Sequence, residues 1–549
     1  MNAAELFVQC LENEGVGRVF GVPGEENAEL MMALDASSIE FVLTRHEQGA
    51  AFMAEVHGRL TGEPGVCLGT LGPGATNLVT GVANANMDRV PLIAITGQAG
   101  IERWHKESHQ AMDVVGMFKP ITKWASTILT PHNIPEVVHK AFKLATTEKT
   151  GACHIELPED VASSPAEHLD PIRKSRPTRP VPDQDVIFEA LQMIRSAKNP
   201  VILAGNGVIR LGASQELRKF AETTGIGVIN TFMAKGVVSQ DSVYSLFTIG
   251  LQAKDLVFRA IYEADLVITV GYDMAEYPPN VWNPDGEKKL IHLDFVPAEV
   301  DENYRVEIEV IGDLSHALQM LNDGVQDNPF TIDPKPQHAI RHEMMKEISD
   351  YANDETTGPM RPQKILSDVR AALAPNDVLL SDVGAHKMWI ARHYQCYEPN
   401  TCLIPNGFAS MGFALPGTIS AAMIDPDRKV MAIAGDGGFL MNVQEMETAR
   451  RLNSDIVVMV WEDGGYGLIE WKQDNTYGGH TDLSFGNPKW HLLAESFGWS
   501  YDYVDESLKL LETVKNALDT PGPSLIVVPI DYRENAILTK RLGAITMGL

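Results

Sequence analysis

The chain has 549 residues, enough for roughly two to four domains with ample core. Its 44% hydrophobic content reads as ordinary globular protein, and a formal net charge of −28 excludes nucleic acid or an anionic membrane as the main partner. Cys10, Cys67, Cys153, Cys396 and Cys402 are odd in number and form no C-x-x-C pair, which argues against a disulfide framework or a zinc site.

In chain order, "MNAAELFVQCLENEGV" reads as an acidic amphipathic helix, with neither the apolar core of a signal peptide nor the Arg/Ser bias of a transit peptide. No apolar stretch reaches transmembrane length, so a cytoplasmic protein is expected. Residues 1–163 alternate helical patterns with short apolar runs such as "GRVFGVPG", "GVCLGTLGPGATN", "VPLIAITGQ" and "GACHIELPED". That βαβ rhythm predicts a parallel sheet wrapped by helices. Residues 164–185, rich in Pro and charge, read as a surface linker.

A second α/β rhythm over 186–345 includes "NPVILAGNGV", "GIGVINTF", "ADLVITVGYD" and "KKLIHLDF", and runs out in a polar stretch from 323 to 362. A third unit, 360–549, holds "DVLLSDVGAH", "KVMAIAGDGG", "SDIVVMVWEDGG" and "PSLIVVPIDY". The expected fold is therefore α/β, with three domains, each a central mostly parallel sheet flanked by helices. "GACHIELPED" and "GPSLIVVPIDY" look alike, each an apolar run led by Gly and closing on Pro-x-Asp, which points to a relation between the outer units.

The stretch "AGDGGFLMNVQE" carries the first chemical signal, because it sets Asp436 among glycines at the end of a buried strand. Such a strand-to-helix turn offers backbone N–H groups to an anion, which the acid would repel unless a cation sat between them. By itself the tetrapeptide is equally a tight turn with a solvated Asp. A helical pattern, "FLMNVQEMETARRL", then leads to the strand "DIVVMVW" and a second acid, Asp463, also followed by glycines. Parallel strands put both acids on one sheet edge, where two carboxylates with phosphate oxygens and a backbone carbonyl suit octahedral Mg²⁺.

The span "GDGGFLMNVQEMETARRLNSDIVVMVWEDGGYG" resembles the thiamine diphosphate signature. The resemblance implies that the first unit binds the pyrimidine ring, the third the diphosphate, and that a central domain separates them. It implies Asp436, Asp463 and the Gly465 carbonyl as Mg²⁺ ligands, Gly437 and Gly438 as N–H donors to the diphosphate, and Tyr466 as a further cofactor contact. In "TRHEQGAAFMAEVHGRLTG", Glu47 would be the acid that hydrogen-bonds the aminopyrimidine ring; on residue type alone it is a first-turn helix charge.

Across nearly the whole chain, "RHEQGAAFMA", "HQAMDVVGMFKPITKW", "SDVGAHKMWIAR", "NGFASMGFALP" and "AESFGW" are similar to the acetohydroxyacid synthase group. The resemblance places His386 at the diphosphate, Met411 under the thiazolium ring and the Ala409 carbonyl at the pyrimidine amino group. Gly24 and Gln110 would line the reaction centre.

"VGYDMAEYPPNVWN" lacks the arginines of the group's flavin motif, so no FAD is expected and the likeness is to the flavin-independent catabolic type. Where biosynthetic members carry an acceptor-selecting Trp, this chain has Lys472, with Trp471 one place earlier. Both are candidate substrate residues, and pyruvate is the expected acceptor.

The implied reaction is decarboxylation of pyruvate and carboligation to a second pyruvate, giving 2-acetolactate and CO₂. The alternatives are another thiamine diphosphate-dependent 2-keto acid decarboxylase, a carboligase or a pyruvate oxidase. None of the 16 histidines adjoins another, which weighs against the decarboxylases and their His-His dipeptide. The resemblance further implies a homodimer or homotetramer with active sites at the subunit interface.

Overall fold

A computed structural model describes residues 1–174, 178–250 and 256–535. Parts of three expected segments, 175–177 of the linker, 251–255 of the central domain and 536–549 of the third domain, lie outside the described residues.

Among the described residues there are three six-stranded parallel sheets. The first contains β1 (Arg18–Gly21), β2 (Glu40–Leu43), β3 (Gly65–Gly69), β4 (Leu92–Gln98), β5 (Trp124–Thr127) and β6 (Ala152–Pro158). The second contains β7 (Pro200–Ala204), β8 (Val228–Asn230), β9 (Ser245–Thr248), β10 (Leu266–Val270), β11 (Lys289–Asp294) and β12 (Ile308–Ile311). The third contains β13 (Val378–Ser381), β14 (Cys402–Leu403), β15 (Val430–Gly435), β16 (Ile456–Glu462), β17 (Ser500–Tyr503) and β18 (Ser524–Pro529). Helices cover both faces of a parallel sheet, so its strands become continuous apolar runs. Accordingly β3, β4, β6, β7 and β10 are buried at every position.

The outer sheets share one strand order, β2-β1-β3-β4-β6-β5 and β14-β13-β15-β16-β18-β17. The strands within "GACHIELPED" and "GPSLIVVPIDY", β6 and β18, hold the same place in each. The middle sheet runs β12-β11-β10-β7-β8-β9, a doubly wound order that reverses at β7.

By contact density the chain forms two compact units. One comprises Met1–Pro177, Gly407–Asp427 and Phe439–Ile456; the other comprises Thr178–Asn406, Arg428–Gly438 and Val457–Leu549. In the first, the helix Glu47–Thr61 packs closely because its neighbours meet small residues. A Cβ on Gly81 would stand 2.4 Å from the Ala51 Cβ, and one on Gly58 2.3 Å from the Pro91 carbonyl oxygen. Ser420, on the helix Ala414–Ile424, donates to the Met53 carbonyl at 2.7 Å. In the second unit, apolar clusters built around Ile202, Ile268 and Leu318 on one side and Leu203, Val267 and Trp282 on the other sandwich the middle sheet.

Two local expectations change. The pattern "FLMNVQEMETARRL" forms two short helices, Asp436–Met441 and Glu445–Arg451. Between them Asn442 turns its amide onto the Gly412 carbonyl at 2.7 Å, a tertiary bond that the helical periodicity does not contain. The polar stretch after residue 323 carries the helix Lys335–Ser349. Gln337 takes the Gly227 N–H at 2.7 Å and donates to the Pro200 carbonyl at 2.8 Å, while Ile340 and Met344 enter the core. The five cysteines are buried and none is in a disulfide.

Candidate active site

The third sheet builds the first group of site residues. β15, "VMAIAG", ends where Asp436 opens a helix, and β16, its neighbour in the sheet, ends at Glu462 just before Asp463. Asp436 is 1% exposed. Its Oδ2 accepts from Gly464 N at 2.8 Å, Asp463 N at 3.3 Å and Asn487 Nδ2 at 2.7 Å. Its Oδ1 accepts from Gly437 N at 2.8 Å. The Gly437 amide, expected to face a diphosphate, is thus engaged by the acid's own carboxylate. Gly438 follows in the first turn of the same helix.

Asp463 opens towards solvent on one side, yet partial burial and the facing Asp436 charge push its carboxyl up to about 7. Two carboxyls this close are relieved by a shared proton or by a cation held between them. An all-oxygen pair of this kind fits Mg²⁺, which takes one or two carboxylates along with other oxygens. Gly465 pairs across an antiparallel bridge with Ser484, which fixes the turn after Asp463. Tyr466 stacks its edge on Phe485, with ring centroids 5.1 Å apart. Both rings close on Gly437, where a Cβ would lie 2.9 Å from Tyr466 Cε1 and 3.2 Å from Phe485 Cζ.

His386 lies beside the end of β15, its Nδ1 3.4 Å from where a Cβ on Gly435 would sit. Burial pushes its pKa down to about 3, so the ring is neutral, and its buried Nε2 has no protein partner. An orphaned, buried ring nitrogen beside the glycine turn marks a place where a ligand atom can complete the hydrogen bonding. Tyr532, absent from the sequence-based set, stays protonated because burial and the Asp463 and Asp436 charges raise its phenol well above the usual range. A cavity of about 620 Å³ opens here, lined by Asp463, Gly465, Gly467, Trp471, Tyr532 and Asn535 among others. Lys472 is on the same helix as Trp471, Gly467–Tyr477, and is not among the residues lining this cavity.

A second group gathers at the carboxyl ends of β1 and β3. Glu47, 7% exposed, is the first residue of its helix, and its Oε2 accepts from Asn77 Nδ2 at 2.9 Å. The loop after β3 touches three of the expected residues. Thr70 packs so tightly on Gly24 that a Cβ there would stand 2.4 Å from the Thr70 Cβ. A Cβ on Gly74 would reach 2.9 Å from Thr70 Cγ2 and 3.3 Å from Glu47 Oε1. Gly72 backs onto Gln110, whose φ of +56° is unusual for a side-chain-bearing residue. Glu445 fixes the start of the Glu47 helix by accepting from Arg45 N at 3.2 Å and His46 N at 3.0 Å.

The loop 407–412 carries Ala409 and Met411. Ala409 also has φ +56°, a strained conformation of the kind that collects at ligand sites. Ser410 N donates to Asn84 Oδ1 at 3.2 Å, and Asn442 holds the Gly412 carbonyl, so the half-buried Met411 is anchored on both sides. The structure therefore gathers His386, Asp436, Gly437, Gly438, Asp463, Gly465 and Tyr466 in one group, and Gly24, Glu47 and Gln110 in another. Asn77, Glu445, Asn487 and Tyr532 escaped the sequence reading. Each follows or precedes a motif as an ordinary polar residue, and only its partner across the fold marks it out.

Residues 1–117 match the thiamine pyrophosphate enzyme N-terminal TPP binding domain, 187–321 its central domain and 382–528 its C-terminal TPP binding domain. The chain is 35% identical to an acetolactate synthase of Bacillus subtilis, over 97% of this chain and 94% of that protein. It is 34% identical to a catabolic acetolactate synthase of Raoultella terrigena, over 98% and 97%. A probable acetolactate synthase large subunit of Methanocaldococcus jannaschii is also 34% identical, over 100% of this chain and 95% of its own length. With three domain matches in order and relatives covered almost end to end, the chain belongs to the acetolactate synthase family of thiamine pyrophosphate enzymes.

Proposed function

We propose that the chain catalyses thiamine diphosphate- and Mg²⁺-dependent decarboxylation of pyruvate and carboligation to a second pyruvate, giving 2-acetolactate and CO₂. The observation that carries this reading is the confrontation of Asp436 and Asp463 at one sheet edge, beside the orphaned Nε2 of His386. The pyrimidine-binding, central and diphosphate-binding domains are taken as 1–163, 186–345 and 360–549, with 164–185 as linker.

Thiamine diphosphate, when bound, supplies an acidic thiazolium carbon and an electron sink for decarboxylation. Asp436, Asp463 and the Gly465 carbonyl would hold Mg²⁺, with Gly437, Gly438, His386 and Tyr466 around the diphosphate. Glu47 would hold the pyrimidine ring by a hydrogen bond. Because Asn77 occupies its Oε2, Oε1 is the atom free to carry the proton, and Gly74 leaves room beside it. Met411 would support the thiazolium ring and the Ala409 carbonyl would accept from the pyrimidine amino group. Gln110 and Gly24 would line the reaction centre. The cavity lining favours Trp471 over Lys472 on the acceptor side.

An FAD-free enzyme is supported by Glu276, within the stretch that lacks the flavin arginines. Its carboxylate accepts from Asn206 N at 3.0 Å and from the Thr231 hydroxyl, at the carboxyl edge of the middle sheet where a dinucleotide phosphate would otherwise lie. A homodimer or homotetramer is proposed because, in the family resembled, the activating Glu and the metal acids of one site come from different chains. A cytoplasmic location is proposed, in line with the lack of any helix, among the described residues, long and apolar enough to cross a membrane.

The test is incubation with pyruvate, Mg²⁺ and thiamine diphosphate, without added FAD, and identification of the product. Acetolactate with CO₂ is expected. Acetaldehyde would make the protein a decarboxylase, a requirement for FAD and oxygen would make it an oxidase, and no CO₂ at all would refute the reading.

A further inference from the structure

Besides three backbone N–H groups, Asp436 is held by one side chain that lies outside every motif. Asn487 lies after the Gly465–Ser484 bridge and ahead of the helix Trp490–Phe497. Its Nδ2 donates to Asp436 Oδ2 at 2.7 Å and to Glu462 Oε1 at 3.2 Å. Glu462 Oε1 also accepts from Trp490 Nε1 at 2.6 Å, so a chain of hydrogen bonds runs from the indole to Asp436. An amide nitrogen carries two hydrogens, and here each faces a different carboxylate. Asn487 does not cap the neighbouring helix, whose N-cap position belongs to Lys489.

We propose that Asn487 is a positioning residue for the metal pair. It fixes the Asp436 carboxylate through Oδ2 and holds the Glu462 carboxylate apart from it, so that Asp436 meets the ion in one orientation. The amide is the group this place requires. An aspartate would set a third negative charge against two, and an aliphatic residue would leave Glu462 and Asp436 with no donor between them. This rests on the reading of Asp436 and Asp463 as the metal acids.

The test uses the full-length protein, freed of metal and supplied with thiamine diphosphate, and titrates Mn²⁺ while counting the free ion by electron paramagnetic resonance. Asn487→Ala should bind Mn²⁺ about ten- to a hundredfold more weakly, the usual effect of removing a group that orients a metal ligand. Turnover at saturating Mn²⁺ should fall much less than affinity does. Asn487→Ser keeps one donor and should lie between, and it carries the test if the alanine variant fails to fold. Mn²⁺ affinity within about twofold of wild type in the folded variants, well short of the effect expected for an orienting group, overturns the role of Asn487 while leaving the metal pair standing. Wild-type protein that takes up no Mn²⁺, or whose uptake survives Asp463→Ala, which leaves no side-chain oxygen to ligate, overturns the metal pair itself and the inference with it.

Discussion

Asp436→Asn tests the electrostatic core of the site with little change of shape. The asparagine can point its oxygen at the three donors that now meet Oδ2, which leaves its own NH₂ against the Gly437 N–H in place of the present bond. Losing one hydrogen bond of this kind costs about 1–3 kcal/mol locally. The larger consequence falls on Asp463, whose carboxyl stands at about 7 instead of 3.8, first through burial and next through the Asp436 charge. Removing that charge leaves the burial contribution, so the metal-free variant should show Asp463 titrating roughly one to two units lower.

The stability linkage has a defined sign. A carboxyl whose pKa is raised on folding contributes stability that is full below 3.8 and lost as pH climbs through about 7. Because Asp463 is open on its cavity side, solvent screening limits that loss to about 1 kcal/mol. The assay is an infrared pH titration of the carboxyl stretch in metal-free protein, wild type against variant, with Asp463→Asn to identify the band. An Asp463 titration that does not move in Asp436→Asn would refute the claim that the two carboxyls face each other.

Glu47→Gln should leave cofactor binding within a few-fold of wild type while turnover falls by about a hundredfold or more, since only the ring proton is lost; steady-state rates with a separate binding titration read the two apart. Gly437→Ala sets a methyl 2.9 Å from Tyr466 and 3.2 Å from Phe485, so the rings must shift. An overpacking cost of about 1–3 kcal/mol should appear as weaker thiamine diphosphate binding in calorimetry. Glu276 is raised from 4.5 to about 7 by burial, so wild-type stability contributed by this group is full below 4.5 and lost through about 7. Glu276→Gln cannot ionise, and its thermal midpoint should change less between about pH 5 and pH 8 than that of wild type. Gly81→Ala drives a methyl into Ala51 at 2.4 Å and should destabilise the first unit by about 1–3 kcal/mol, read in denaturant unfolding.

Much of the architecture was legible because parallel sheets write themselves as continuous apolar runs. β4, β6, β15 and β16 each stand where "VPLIAITGQ", "GACHIELPED", "KVMAIAGDGG" and "SDIVVMVWEDGG" put them. That Asp436 and Asp463 share one sheet edge was legible for the same reason, since a strand-helix-strand unit fixes which edge both strand ends share. Less was legible wherever a long-range bond overrides local pattern. The break at Asn442 depends on Gly412, and the helix Lys335–Ser349 depends on Pro200 and Gly227 as partners for Gln337.

By itself, then, the sequence determined the sheet-forming segments, the glycine turns and the acids at their ends, because those follow from local periodicity and backbone geometry. Only the tertiary structure decided what each acid faces. Asp463 acquires its raised pKa from burial and then from the acid just past the end of the neighbouring strand, Glu47 acquires a preferred oxygen from Asn77, and Asp436 acquires its one side-chain donor from Asn487. Charge and hydrogen bonding act across a few ångströms of space, and in a parallel sheet those ångströms join residues that the chain separates by whole helices.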